Sequence, residues 1–256
     1  MPAPSQKGLV IAMPRFFVPD TGFSGDIVTL TGSDAHHISF ALRMAVGEEI
    51  TVCDMKGRSH TCRLTMLDGE SVRAEILATA EAENESPLRI HLFQAYPKSD
   101  KLEFIVQKAV ELGVHTVTPF ESERCIKRPR AEKIAHITER QNKIAHEAAK
   151  QCGRSLLPTV APPISFDEML REASAYPLCL FCYEGDGTRS LKEICAAHPD
   201  VRELALVIGS EGGFSAKEAK AAEEAGLFMT GLGKRILRCE TAPLFALSAI
   251  SCLYEL

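Results

Sequence analysis

Two arginines and a glutamate lie close together near the carboxyl end of the chain, in a stretch that begins with a glycine. Residues 233–241 read GKRILRCET, and the side chains that could do chemistry are Arg235, Arg238 and Glu240. Guanidinium groups stabilise an anion that develops during a reaction, and a carboxylate can orient an arginine or receive a proton. A glutamate just before a helix also favours the helix N-terminus. Both roles of Glu240 stay open on sequence alone.

A second glycine-rich turn, residues 209–213 with the sequence GSEGG, follows the apolar run Leu204–Ile208. A short apolar run that ends in glycine is typical of a buried strand, and glycine lets backbone lie against a ligand. The run Leu227–Leu232 precedes Gly233 in the same way. Open α/β sheets bind ligands at the carboxyl ends of neighbouring parallel strands, so we expect these two strands to be adjacent and both turns to form one site. Ordinary strand-to-helix turns are the alternative.

From Leu88 onward the sequence alternates between strand-like and helix-like segments. Apolar periodicity and turn residues predict strands at 88–95, 114–119, 178–183, 204–208 and 227–232, and helices at 100–112, 132–152, 166–173, 191–197, 215–226 and from about Pro243. Ser215 and Glu218 have the spacing of a capping box. The helix at 100–112 has a predicted apolar stripe and Ser99 as its predicted cap. The alternation predicts a mainly parallel sheet with helices on both faces. Neither a dinucleotide fingerprint nor a phosphate-binding loop accompanies it.

The front of the chain, residues 13–80, has a different pattern. Short alternating segments predict strands at 27–30, 49–54, 60–67 and 71–77, with one helix, Asp34–Ala45, among them. This pattern predicts a small β-rich module that could be a barrel. Residues 81–87 are acidic, end in proline and are predicted to be a linker to the α/β domain, residues 88–256. Residues 1–12 are predicted to be a disordered extension.

Composition restricts the partners and the compartment. The net charge of −5 argues against a broad basic surface but allows a local basic strip. No apolar run approaches the roughly 18 residues of a membrane span. The nine cysteines are scattered, and Cys179 and Cys182 form a single C-x-x-C within a strand-like run. This favours buried thiols in a reducing cytosol over a zinc site.

Several segments in order resemble the SPOUT class of RNA methyltransferases, and most closely the bacterial family that methylates a uracil N3 in 16S ribosomal RNA. The likeness rests mainly on IGSEGGF at 208–214 and LGKRILRCETA at 232–242. Shorter matches extend it over nearly the whole chain from Met13 onward, at 13–17, 36–38, 42–43, 98–103, 122–124 and 147–154. Ser210 departs from the family, which usually has proline there.

The resemblance implies a SPOUT domain with a trefoil knot, a PUA-like RNA-binding domain at the front and a homodimer. It implies S-adenosylmethionine (SAM) as the cofactor, no metal, a cytoplasmic location, and 16S ribosomal RNA or the small ribosomal subunit as the partner. Apolar side chains would form a slot for adenine and glycines would admit its edge. The candidate cofactor-binding residues are Leu180, Tyr183, Ile208, Gly209, Glu211, Gly212, Gly213, Leu232, Gly233, Ile236, Leu237 and Arg238.

Methyl transfer to a uracil ring nitrogen requires loss of the nitrogen's proton and stabilisation of the anionic ring. Arg235, Arg238 and Glu240 are the candidate catalytic residues. RNA contacts require cations, and the densest group of them lies at 124–130. The candidate RNA-binding residues are Arg15, Arg43, Lys98, Arg124, Lys127, Arg128, Arg130 and Arg154. A solvated surface charge is the alternative for each lone cation. A non-catalytic RNA-binding protein with a SPOUT-like domain is the alternative function.

Overall fold

The computed structural model describes residues 13–81 and 84–256, which form two compact units, one on each side of that gap. The predicted extension, residues 1–12, lies outside the described residues. No helix in the described part of the chain has the length and apolar character needed to cross a membrane.

The front unit is built on a six-stranded sheet. Its strands are β1 Arg15–Phe17, β2 Phe23–Ser24, β3 Ile27–Thr31, β4 Glu49–Cys53, β5 Arg58–Leu67 and β6 Ser71–Glu81, in the order β1-β4-β5-β6-β3-β2. All neighbours are antiparallel except β1 and β4, which are parallel. Alternate residues of these strands face one buried core, among them Val28, Leu30, Ile50, Val52 and Leu64. The predicted β-rich module is confirmed.

The helix that we predicted at Asp34–Ala45 ends four residues earlier in the structure, at Ala41. Helix α1 spans Gly32–His36, and a π-helical turn continues it to Ala41, where Leu42 N–H donates to His37 O at 2.9 Å. Arg43 then adopts a left-handed backbone conformation, with φ of 53°. A right-handed helix cannot continue through that conformation, so the predicted C-terminal end was wrong.

The rear unit is a parallel sheet with helices. Its strands are β7 Arg89–Ala95, β8 Thr116–Glu121, β9 Thr159–Val160, β10 Ile164–Ser165, β11 Cys179–Cys182, β12 Arg189–Ser190, β13 Glu203–Ile208 and β14 Phe228–Gly231. Its helices are α2 Lys101–Glu111, α3 Ile134–Cys152, α4 Phe166–Ala173, α5 Leu191–Ala196, α6 Ala216–Glu224 and α7 Thr241–Tyr254. Every strand pair in this sheet is parallel, so the predicted α/β fold is confirmed.

The strand order decides where the two glycine turns lie. The sheet runs β10-β8-β7-β13-β11-β14-β12, and β9 pairs with β8. The turns follow β13 and β14, which are both neighbours of β11 and therefore one strand apart. We had expected adjacent strands. Because all three strands are parallel, their carboxyl ends still meet at one edge of the sheet.

Local sequence patterns determine where the helices beside this edge begin and which of their faces are buried. The apolar stripe predicted for α2 is buried, and the capping box of Ser215 and Glu218 at the start of α6 is present. Ser99, predicted to cap α2, instead has a left-handed backbone with φ of 54°, and Asp100 is the residue before the first turn. Pro243 lies in the first turn of α7, as predicted.

A buried ion pair holds the start of the rear unit. Arg154 is only 5% exposed, and its guanidinium donates to Glu85 at 2.7 Å and to the backbone carbonyl of Val114. Glu85 also accepts hydrogen bonds from the backbone N–H groups of Ser155 and Leu156. Burial raises the pKa of Glu85, but these donors outweigh it and lower the pKa below its ordinary value.

We expect Glu85→Gln to lower the free energy of unfolding by about 2 kcal/mol, because it leaves a buried guanidinium without its carboxylate. Chemical denaturation at neutral pH measures this change. A folded-state pKa below the unfolded value makes the stabilisation present above about pH 4.3 and lost as the pH falls through the native pKa. Wild type and variant should therefore converge in acid. Glu139→Gln, in an exposed pair with Lys143, is the matched control and should change stability far less than Glu85→Gln. Equal effects of the two variants would contradict the prediction.

Candidate active site

A cavity of about 480 Å³ opens at the carboxyl edge of β11, β13 and β14. We call residues 209–214 the first loop and residues 232–240 the second loop. Both line the cavity, together with the end of β11 and the first residue of α2. The lining residues are Lys101, Cys182, Tyr183, Glu184, Thr188, Ile208, Gly209, Ser210, Glu211, Gly212, Gly213, Phe214, Gly231, Leu232, Gly233, Lys234, Arg235, Ile236, Leu237, Arg238, Cys239 and Ala242.

The glycines of the first loop are needed because the backbone is closely packed. A Cβ on Gly209 would lie 3.2 Å from the Cα of Gly213, and one on Gly212 would lie 2.9 Å from the Cβ of Arg124. Gly213 has φ of 61°, and its N–H donates to Ser210 O at 3.0 Å, which closes the turn. Phe214 then packs on Phe181, with ring centroids 4.2 Å apart. The first loop is therefore a tight turn seated on an aromatic core.

The segment after β8 supports the first loop from the side. Arg124 Nη1 donates to the carbonyl of Gly212 at 2.9 Å. The carboxylate of Glu218 accepts from Glu123 N–H at 2.8 Å and from Ser215 N–H at 2.9 Å. Ser215 Oγ also donates to Glu123 Oε2 at 2.7 Å. The beginning of the basic run is thus hydrogen-bonded to the first loop and to the helix that follows it.

The second loop has no helix or strand, and several of its side chains are exposed. Gly233 has φ of 102°, and Ile236 is 83% exposed although it is apolar. Arg235 and Arg238 are exposed, and within residues 13–81 and 84–256 neither guanidinium has a hydrogen-bond or ion-pair partner. The cavity wall therefore has an exposed isoleucine that can pack against an apolar group and two guanidinium groups that can bind an anion.

Glu240 forms an ion pair with Lys101, the first residue of α2. Lys101 Nζ lies 3.0 Å from Glu240 Oε2 and 3.0 Å from Glu211 Oε1. Burial raises the pKa of Glu240, but the hydrogen bonds from Lys101 and Cys239 outweigh it and lower the pKa to about 2. Burial and the adjacent Glu240 raise the pKa of the Cys239 thiol to about 12. Neither Glu240 as a base nor Cys239 as a nucleophile is favoured at neutral pH.

The cavity gathers most of the candidate site residues. Arg235 and Arg238 line it, and so do all the candidate cofactor-binding residues except Leu180. Leu180 is fully buried in the middle of β11, where it packs in the core rather than on the cavity wall. Glu240 lies behind the wall in contact with Lys101. Lys101 was not among the predicted site residues; its position at the start of the helix that follows β7 is the sequence signal for a place in this site.

The candidate RNA-binding cations lie in both units, and all but one of them are at least partly exposed. In the rear unit, Lys98, Arg124, Lys127, Arg128 and Arg130 are exposed. In the front unit, Arg43 is exposed and Arg15 donates to Ser59 Oγ at 3.2 Å. Arg154 is the exception: its guanidinium is buried against Glu85, so it has no exposed surface for a phosphate and its predicted RNA contact was wrong.

Of the C-x-x-C cysteines, Cys179 is a buried thiol, as predicted, whereas Cys182 is half-buried and lines the cavity. Cys179 is 5% exposed, and burial raises its pKa to about 12. Burial also raises the pKa of Cys182. Across the part of the chain that the structure describes, no group of three or more histidine, cysteine, aspartate or glutamate side chains is arranged to hold a metal ion.

Comparisons with known proteins agree with this fold and cavity. The family description "RNA methyltransferase domain" matches residues 84–251, and "RNA methyltransferase PUA domain" matches residues 30–77. Both matched descriptions name domains of RNA methyltransferases. They coincide with the parallel α/β unit that carries the cavity and with the β-rich front unit. The chain belongs to this family of RNA methyltransferases, and the resemblance to the SPOUT class is confirmed.

Particular relatives cover almost the whole chain. The ribosomal RNA small subunit methyltransferase E of Bacillus subtilis is 35% identical over 89% of this chain and 91% of its own length. The crystal structure of a ribosomal RNA small subunit methyltransferase E from Neisseria gonorrhoeae, bound to S-adenosyl methionine, is 39% identical with a TM-score of 0.84, over 94% of this chain and 98% of that one. A Legionella pneumophila protein in complex with SAM is 31% identical with a TM-score of 0.84, over the same shares.

Proposed function

We propose that this protein transfers a methyl group from SAM to N3 of a specific uridine in 16S ribosomal RNA. The observation that carries the proposal is the shared cavity between the first and second loops, with apolar side chains, closely packed glycines and two arginines on its wall. The names of the Bacillus and Neisseria relatives, and the cofactor in the Neisseria structure, support the choice of substrate and cofactor.

The cavity fits a cofactor of this type. Its volume of about 480 Å³ lies within the roughly 300–1,000 Å³ typical of small-molecule sites. Ile208, Leu232, Ile236 and Leu237 would form the slot for adenine. The first loop would offer its backbone, which can approach a ring edge because Gly209 and Gly213 carry no Cβ.

The chemistry divides between the cofactor and the chain. SAM supplies an electrophilic methyl group whose bond to sulfur breaks as the bond to the uracil nitrogen forms. The chain's part is to hold the uridine in line with that bond and to stabilise the ring as its N3 proton passes to solvent water. We assign the stabilisation to Arg235 and Arg238, which line the cavity and have no side-chain partner among the described residues.

Glu240 is not assigned the proton. We expect Glu240→Gln to lower kcat by less than about tenfold, because a carboxylate with a pKa of about 2 accepts a proton poorly near neutral pH and because the amide oxygen of glutamine can still accept from Lys101. Initial-rate assays with saturating SAM measure the change. Glu224→Gln, on the exposed face of α6, is the control. A loss of roughly 100-fold or more at unchanged SAM affinity would restore Glu240 as the general base.

The RNA would contact cations in both units. In the rear unit we assign this role to Lys98 and to the run Arg124, Lys127, Arg128 and Arg130. In the front unit we assign it to Arg15 and Arg43; the match of residues 30–77 to a PUA domain of RNA methyltransferases supports this. We further propose a homodimer located in the cytoplasm. Phe245 and Leu253, two large apolar side chains exposed on α7, would suit its interface. The trefoil knot stays a prediction.

The test is methyl transfer from labelled SAM to small ribosomal subunits and to naked 16S ribosomal RNA from a strain that lacks this protein. Nucleoside mass spectrometry then identifies the product. We expect one N3-methyluridine per RNA. Label in another nucleoside would contradict the site assignment. SAM binding without label in either substrate would contradict catalysis and favour the alternative, a non-catalytic RNA-binding protein.

A further inference from the structure

We propose that Lys101 is a positioning residue: its ammonium ties the first loop to the second by bridging Glu211 and Glu240, and thereby sets Arg235 and Arg238 relative to the cofactor cavity. This inference rests on the proposed function, because it concerns the same cavity. Lys101 is added to the proposed site as a residue that does not act on the methyl group or on the uracil nitrogen. It acts through the carboxylates of Glu211 and Glu240.

The contacts converge on one nitrogen atom. Lys101 Nζ lies 3.0 Å from Glu211 Oε1 in the first loop and 3.0 Å from Glu240 Oε2 at the end of the second loop. It also lies 3.7 Å from Cys239 Sγ, whose thiol donates to Glu240 Oε2 at 3.1 Å. Two segments that are remote in sequence are therefore held by a single side chain from a third.

The third segment is a rigid anchor. Lys101 is the first residue of α2, which is held in the core by the buried side chains of Leu102, Ile105 and Val106. The turn before the helix adds a second attachment, because the backbone N–H of Lys98 donates to both oxygens of Glu211 at 3.1 and 3.2 Å. Glu211 is thus fixed to α2 at two points, and Lys101 extends that attachment to Glu240.

The bridge is ionised near neutral pH. Hydrogen bonds to Glu240 and Glu211 raise the pKa of Lys101. Burial opposes ionisation of Glu211, but the same lysine outweighs it and lowers the pKa of that carboxyl. The three side chains are between 23% and 28% exposed, so water screens them only in part. Without the ammonium, two carboxylates on opposite loops would face each other and repel.

The second loop needs such an attachment because little else holds it. It leaves β14 at Gly231, has no regular backbone pairing from Leu232 to Cys239, and enters α7 through the bonds of Thr241 and Ala242 N–H to Arg238 O. Arg235 lies between these two ends. Glu240 is the residue just before α7, so the bridge determines where the second loop ends and hence where its arginines point.

Kinetics separate a positioning role from a merely structural one. We expect Lys101→Met to lower kcat roughly 100-fold, because small misplacements of reacting groups cost about that much, while the dissociation constant of SAM changes less than about tenfold. Lys101→Arg should restore kcat to within about tenfold of wild type, because guanidinium can bridge two carboxylates. Lys108→Met is the matched control: it removes a pair with Glu111 on the same helix and should leave kcat unchanged.

Hydrogen exchange of the chain without cofactor or RNA gives a readout that does not depend on activity. We expect faster exchange at residues 211–213 and 235–242 in Lys101→Met and not in Lys108→Met. If Lys101→Met does not fold, the Glu211→Ala, Glu240→Ala double variant removes both acceptors of the same ammonium and should show the same exchange. Wild-type kcat and wild-type exchange in a variant without the bridge would overturn the inference. Failure of wild type to methylate RNA would instead overturn the proposed function, and the exchange comparison would still decide the role of Lys101.

Discussion

Replacing Arg235 by alanine is expected to lower kcat for methyl transfer roughly 100- to 1,000-fold while the SAM dissociation constant stays within about threefold. Arg235 lines the cavity, and its guanidinium has no hydrogen-bond or ion-pair partner within residues 13–81 and 84–256. It can therefore meet charge that develops on the uracil without first breaking an internal contact. The cofactor slot is apolar and needs the arginine less.

Two further variants sharpen this prediction. Arg235→Lys keeps the charge but loses the planar fork of donors, so we expect an intermediate kcat. Arg202→Ala removes an exposed arginine just before β13, at the opposite end of that strand from the cavity, and should match wild type. Single-turnover rates and calorimetry with SAM measure the two quantities separately. An Arg235→Ala variant that loses SAM affinity and rate in equal proportion would show that Arg235 acts in cofactor binding.

Replacing Gly212 by alanine is expected to weaken SAM binding by roughly tenfold or more, with little change in the secondary structure. The added Cβ would lie 2.9 Å from Arg124 Cβ and 3.4 Å from Arg124 O, distances at which backbone or a side-chain root must move. Overpacking of this kind costs about 1–3 kcal/mol. Because Gly212 lies in the first loop, the displacement falls on the surface that we assign to the cofactor.

A second-site variant tests the steric reason. Arg124→Gly removes the atom that the new Cβ meets, so the Gly212→Ala, Arg124→Gly double variant should recover much of the SAM affinity when compared with Arg124→Gly alone. Calorimetry without RNA is the right assay, because Arg124 is also assigned to RNA. Gly226→Ala is the control: no atom lies within 4 Å of its Cβ, and its φ of 82° strains folding but not the cavity. Equal loss of SAM affinity in both single variants would contradict the argument.

The sequence predicted the features that local patterns encode. The apolar run of β13, the capping box of Ser215 with Glu218 and the apolar stripe of α2 all depend on neighbours within a few residues, and all three are present. The end of the first helix was misplaced because the left-handed conformation of Arg43 is set by the surrounding fold, and arginine carries no signal for it.

Ion pairs between residues that are distant in the chain could not be predicted from the sequence. Arg154 and Glu85 are far apart in the chain, and so are Lys101 and Glu240, yet each pair decides whether a charge is free for function. Arg154 was therefore assigned to RNA and Glu240 to a possible proton transfer, both on residue type alone. The insertion of β11 between β13 and β14 is likewise a property of the sheet order, which periodicity does not reveal.

The central claim is that the first and second loops together hold the methyl donor, with Arg235 beside the methyl group. A crystal structure of the chain with SAM tests it most directly. The account predicts cofactor density between Gly209–Gly213 and Leu232–Arg238, with the sulfonium methyl nearer to the Arg235 guanidinium than the adenine is. Cofactor density elsewhere on the chain, or none at a SAM concentration that saturates binding in solution, would contradict it.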